Sequence, residues 1–82
     1  MGIIANQLSD RLQSHITEID ELGYLIGKAI SSVEKMNSEH CSEFLTPNEM
    51  SNMINNHRKV MKLSQRLSTR VEEFKDRNPI TH

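Results

Sequence analysis

The stretch SEHCSEFLTPNEM, residues 38–50, interrupts one helical pattern and opens another. Thr46 is a favourable N-cap residue, and Pro47 occupies the first helical position, where its missing N–H costs nothing. Glu49 follows three residues after Thr46, so its carboxylate can reach the backbone N–H of the cap and complete a capping box. These three features in register predict a helix that begins at Pro47.

Apolar residues on both sides of this stretch recur at alternating spacings of three and four, which is typical of a coiled-coil seam. The first series is Ala5, Leu8, Leu12, His15, Ile19, Leu22, Ile26, Ala29, Val33 and Met36, and the second is Met50, Met53, His57, Val60, Ser64, Leu67, Val71 and Phe74. We therefore predict an all-α fold, a coiled-coil-like antiparallel hairpin of two helices. In this hairpin the two series face each other, with Ala29 opposite His57 and Leu22 opposite Ser64.

The predicted hairpin occupies the whole chain as one domain, 1–82. Its helices cover about 4–39 and 47–77, its loop covers 40–46, and a frayed tail covers 78–82, because Asn78-Pro79 ends the second helix.

Composition limits the class of protein. With 82 residues and a net charge of −1, the chain is small and has no charge excess that would by itself indicate a nucleic acid or a membrane. The lone Cys41 cannot form an internal disulfide, which fits a reducing compartment. No apolar run is long enough to span a bilayer. We therefore expect a cytoplasmic protein.

A flank beside the predicted seam continues the apolar pattern. It comprises Ile16 and Ile30 on the first helix and Ile54 and Met61 on the second, with Gly23 facing Met61. A soluble hairpin should not leave such a strip exposed, so we expect a third helix to cover it. Ile16, Gly23, Ile30, Ile54 and Met61 are thus the predicted partner-binding residues.

No constellation for catalysis, cofactor binding or metal binding is recognisable. His15 and His57 fall in different layers of the seam, without His, Cys, Asp or Glu at zinc-type spacing. The expectation is therefore no enzyme, no cofactor and no metal. Because a charged imidazole is unfavourable in an apolar layer, the two seam histidines predict that acidification loosens the hairpin.

A basic stripe is a further candidate surface, formed by Arg58, Lys59, Lys62, Arg66 and Arg70. Such a stripe could follow phosphates along a nucleic acid. However, no aromatic residue interleaves it and the first helix is acidic, so a solvated face is the simpler interpretation.

The hairpin pattern over residues 4–77 resembles small helical components of bacterial type III secretion systems, namely needle or rod subunits and their short hairpin co-chaperones. The loop segment Leu45-Thr46-Pro47-Asn48 carries a proline as the needle subunits do, but lacks their doubled proline. Other hairpin regulators, such as anti-kinase and anti-activator proteins, share the same pattern.

Three functions remain open at this point. The first is a non-enzymatic protein–protein interaction module, a small chaperone, adaptor or regulator that binds a partner helix along its apolar flank. The second is a self-assembling structural subunit of a secretion apparatus. The third is a nucleic-acid-associated regulator that uses the basic stripe. The expected partner is thus another protein through a helix, or a second copy of the chain.

Overall fold

The computed structural model describes residues 2–77, and the side chains of residues 7–77. The chain forms two antiparallel helices, α1 (Gly2–Glu39) and α2 (Pro47–Arg77), joined by the loop 40–46. The molecule is long and narrow, 62 × 17 × 12 Å. The predicted all-α hairpin is confirmed, and its helix boundaries agree with those expected. The tail predicted over 78–82 lies outside the described residues.

The capping box predicted before α2 is formed. The backbone N–H of Glu49 donates to Thr46 Oγ1 at 3.1 Å, and the backbone N–H of Thr46 donates to Glu49 Oε1 at 2.9 Å. The first helical hydrogen bond follows, from Met50 N–H to the Thr46 carbonyl at 2.9 Å. The start of α2 is therefore fixed by residues next to it in the sequence.

The end of α1 is closed by a tight turn. Cys41 and Ser42 both adopt the left-handed region, with φ of 55° and 58°, and Ser42 N–H donates to the Asn37 carbonyl at 2.8 Å. The buried Asn37 side chain ties the loop down. Its Nδ2 donates to the Leu45 carbonyl at 2.9 Å, and its Oδ1 accepts from the N–H groups of Phe44 and Leu45. This amide sets where the chain turns back.

The helices do not meet along the predicted seam. On α1, the most buried positions recur every seven residues on a neighbouring face, at Ser9, Ile16, Gly23 and Asn37, with the partly buried Ile30 in the same series. On α2, the buried residues are Met50, Ser64 and Val71, which do belong to the predicted seam. The face predicted for α1 is therefore wrong, while that of α2 is right.

Two glycines explain why α1 turns this face inward. A Cβ atom on Gly23 would lie 2.6 Å from Met61 Cε, and one on Gly27 would lie 3.1 Å from His57 Cε1. The absent side chains thus leave space that Met61 and His57 occupy. His57 Nε2 also donates to the Gly23 carbonyl at 2.7 Å. Tight packing and this hydrogen bond both favour the glycine face.

The axial register also differs from the predicted one by two residues. Ser64 Oγ donates to Asp20 Oδ1 at 3.2 Å, although the predicted layer placed Ser64 opposite Leu22. Likewise, His57 lies against Gly27, although it was predicted opposite Ala29. Both shifts move α1 in the same direction. Polar Ser64 thereby gains a hydrogen-bond partner, whereas the predicted layer would have placed it against a leucine.

Candidate helix-binding surface

An open apolar groove runs between the helices on one side of the hairpin. Its volume is about 430 Å³, and its walls are almost entirely apolar. We call this cavity the apolar groove. It is lined by Ile19, Leu22, Gly23, Ile26, Ile30, Met53, Asn56, His57, Val60 and Met61. Most of the side chains that line it from α1 are members of the series that the sequence placed inside the hairpin.

Large exposed hydrophobic residues extend the groove in both directions along the hairpin. Leu22 is 58% exposed, Leu63 59% and Met36 58%. The helical repeat of three and four places eight such residues on this side, and together they form the exposed apolar face: Leu8, Leu22, Leu25, Ile26, Val33, Met36, Val60 and Leu63. Their exposure makes this face a candidate interaction surface.

The five residues predicted to bind a partner lie along the contact between the two helices. Ile16 is only 2% exposed, Gly23 is buried beneath Met61, and Ile30, Ile54 and Met61 are partly buried. They do not form the fully uncovered strip that the sequence predicted, because the two helices pack against each other there, and their role in binding a partner stays a prediction. Gly23, Ile30 and Met61 still contribute to the floor of the apolar groove.

Few polar groups enter the groove. Asn56 and His57 are its polar lining residues, and His57 Nε2 is already bonded to the Gly23 carbonyl. Binding sites for small polar molecules need several convergent donors and acceptors. This lining suits an apolar surface such as one face of an amphipathic helix.

The two seam histidines occupy different environments from those expected. His15 is exposed, and its Nδ1 donates to Glu18 Oε1 at 2.7 Å. His57 is partly buried, and its Nε2 donates to the Gly23 carbonyl at 2.7 Å. Neither imidazole therefore lies in the closed apolar layer that the sequence predicted, and loosening in acid stays a prediction.

The basic stripe lies on exposed positions of α2. Arg58, Lys59, Lys62, Arg66 and Arg70 are all exposed, and within residues 2–77 none of them forms an ion pair. A shallow polar depression beside Arg58, Lys59 and Lys62 is lined by Asn52, Asn55 and Asn56. The stripe is therefore separate from the apolar groove for most of its length.

Metal ligation and membrane crossing are two further possibilities for the described part of the chain. No group of three or more His, Cys, Asp or Glu side chains could hold a metal ion there. Between residues 2 and 77, neither helix contains a segment of the length and apolar character that crossing a membrane requires.

Comparisons of this chain with protein-family models, with curated proteins and with solved structures found no match.

The exposed apolar face was missed as a surface because the sequence pattern assigned it to the interior. Leu22, Ile26, Val33 and Val60 fit a seam, and a seam is normally hidden. The signal that could have corrected the assignment is the pair Gly23 and Gly27. Glycines one helical turn apart permit close approach on their own face, which is the face that α2 covers.

Proposed function

We propose that this chain is a non-enzymatic protein–protein interaction module that binds an α-helix lengthwise in its apolar groove. The observation that carries the proposal is the apolar groove, whose walls are almost entirely apolar and whose lining residues Leu22, Ile26 and Val60 are each more than half exposed. In this proposal the hairpin supplies two helices of a bundle, and a partner supplies what completes it.

The exposed side chains provide enough driving force for such an interaction. Complete burial of a Leu or Ile side chain contributes about 1.5–3 kcal/mol, so covering one that is half exposed contributes about 1 kcal/mol. Leu22, Ile26 and Val60 line the groove directly, and each is more than half exposed. A charged residue at one of these positions both removes the gain and adds the desolvation of a carboxylate.

The groove fits a helix better than an extended strand or a small ligand. The lining lacks the unpaired backbone edge that a strand would need, because the backbone that forms it belongs to two helices. The side chains that line the groove recur at helical spacing, so they can contact a helix that carries apolar residues at i, i+3, i+4 and i+7. The resemblance to secretion co-chaperones remains a prediction alongside this proposal.

The test is photo-crosslinking in the native host, with a photoreactive amino acid at Val60 inside the groove. The matched control carries the same amino acid at Asn55, which is exposed on α2 outside the groove. We expect an adduct from position 60 only, and mass spectrometry should place its other end on an amphipathic helix. Adding Leu22→Glu should reduce the adduct at least tenfold, which corresponds to about 1.4 kcal/mol.

Four results would contradict the proposal. They are no adduct at position 60, equal labelling at positions 55 and 60, an adduct that maps to a non-helical segment, and an adduct that persists in the Leu22→Glu variant.

A further inference from the structure

The exposed apolar face has the length and the charge pattern of a surface that pairs with itself, and the hairpin as a whole exposes more surface than a compact monomer. We propose that its occupant is a second copy of this chain, packed face to face and antiparallel to form a four-helix bundle. This inference rests on the proposed helix-binding function and specifies the partner.

Length is the first argument. From Leu8 to Met36 the exposed apolar face extends over about 42 Å of α1, at 1.5 Å per residue. The 31 residues of α2 give a helix of about 46 Å. A second hairpin therefore covers the face from end to end, whereas a short helical segment would leave part of it in water.

Area is the second argument. The chain exposes 6654 Å², whereas a compact monomer of 9.5 kDa is expected to expose roughly 5,000 Å². The excess is roughly 1,600 Å², and each partner in a standard interface needs to bury only roughly 800 Å². The hairpin thus has ample surface for a stable dimer.

Charge is the third argument, and it selects the orientation. The residues that border the face on α1 and α2 are acidic near the loop, at Glu39 and Glu49, and basic near the open end, at Arg11, Arg70 and Arg77. All five are exposed. Two copies in antiparallel orientation bring the acidic end of each against the basic end of the other, while parallel copies would align like charges.

Two exposed acids, Glu18 and Glu73, are exceptions at the basic end. Glu18 already accepts a hydrogen bond from His15 at 2.7 Å, and the three arginines still outnumber the two acids there. The net sign of the open end is therefore unchanged.

The centre of the face fits a two-fold axis. Leu22 and Leu25 on α1 lie at about the same level as Leu63 on α2, midway between Leu8 and Met36. An isologous contact places the same patch of both copies at the axis. In this dimer the leucines of one copy pack on those of the other.

The experiment measures the mass of the purified full-length chain by size-exclusion chromatography with light scattering. The protein concentration is roughly 100 μM, which exceeds the micromolar Kd of the weakest interfaces of this size. We expect twice the 9.5 kDa of one chain. Leu63→Glu and Leu25→Glu should each return the mass of a single chain with unchanged helical circular dichroism. Gln65→Glu introduces the same residue outside the face and should stay dimeric.

Orientation is tested with single cysteines in a Cys41→Ser background. Leu63→Cys, near the axis, should form an intermolecular disulfide, and Met36→Cys, near the loop, should not. The charge argument predicts that Glu39→Arg weakens the dimer at least several-fold and that adding Arg77→Glu restores it.

Four outcomes would overturn the inference. The first two are a wild-type chain with the mass of a monomer, and Leu63→Glu and Leu25→Glu variants that both remain dimeric. The other two are efficient crosslinking through Met36→Cys, and a Glu39→Arg variant whose dimer is not restored by Arg77→Glu. The proposed function has its own readout. A monomeric chain whose position 60 captures a helix of another protein would refute the self-association and leave the helix-binding function intact. No adduct at position 60 would remove both.

Discussion

Removing the Asn37 amide should open the hairpin at its turn. This side chain is 4% exposed and makes three hydrogen bonds with the loop: one donated to the Leu45 carbonyl, and two accepted from the N–H groups of Phe44 and Leu45. Asn37→Ala deletes all three bonds without adding bulk. The turn that they hold also sets the axial register of α2 on α1, so the substitution tests what positions the apolar groove.

The expected loss in the free energy of unfolding is about 2 kcal/mol. Each hydrogen bond contributes about 0.5–1.5 kcal/mol net, so three give about 3 kcal/mol. Alanine returns up to about 0.7 kcal/mol, because it has a higher helix propensity than asparagine and position 37 lies within α1. Asn37→Asp keeps the acceptors and loses the donor to Leu45, so its loss should be smaller.

The assay is urea denaturation followed by far-ultraviolet circular dichroism. All variants are compared at one protein concentration, since any association adds to the apparent stability. Asn55→Ala is the matched control, because Asn55 is exposed on α2 and has no side-chain hydrogen bond within the described residues. The reasoning is refuted if Asn37→Ala and Asn55→Ala unfold within about 0.5 kcal/mol of each other.

Three further substitutions probe the cap of α2 and the close contact at Gly23. Thr46→Ala should lower the free energy of unfolding by about 1 kcal/mol, because it removes the Oγ1 that accepts from Glu49 N–H; an unchanged urea midpoint would show that the capping box contributes nothing. Gly23→Ala should change the thermal midpoint little, since only the flexible end of Met61 has to move and alanine recovers about 1 kcal/mol of helix propensity. Gly23→Leu should melt far below the wild type because the helices must separate there, and a melting curve like that of Gly23→Ala would disprove the close approach.

Local structure was readable from the sequence because the residues that decide it are close neighbours. Thr46, Pro47 and Glu49 specify the start of α2 without reference to any distant part of the chain, and their hydrogen bonds are as expected. The all-α hairpin followed from the helical spacing on both sides of the loop. The role of Asn37 in closing the loop was not readable, since nothing in the local pattern indicates which loop carbonyl an amide near the end of a helix will reach.

The choice of face on α1 could not be settled by counting apolar residues, because α1 has two usable faces. One face carries the large residues of the heptad pattern, such as Leu22, Ile26 and Val33. The other carries Ile16, Gly23 and Ile30, is less apolar in composition, and packs more closely. Hydrophobic periodicity measures how much apolar surface a face offers, whereas pairing also depends on how near the backbones can come. The His57 bond to the Gly23 carbonyl exists only at this short separation.

The same reasoning gives the heptad seam of α1 a different meaning. A hairpin that needed only its own two helices would gain nothing from a second apolar face, because exposed leucines contribute no burial and favour aggregation. Here Leu22, Ile26 and Val33 continue the coiled-coil spacing for several turns although α2 packs on the neighbouring face. A 3.5-residue repeat positions side chains against another helix, so the regular spacing of an exposed series is most simply explained by a helix outside the hairpin. In the proposed complex, the heptad series of α1 forms the intermolecular seam, and the glycine face forms the contact within the hairpin.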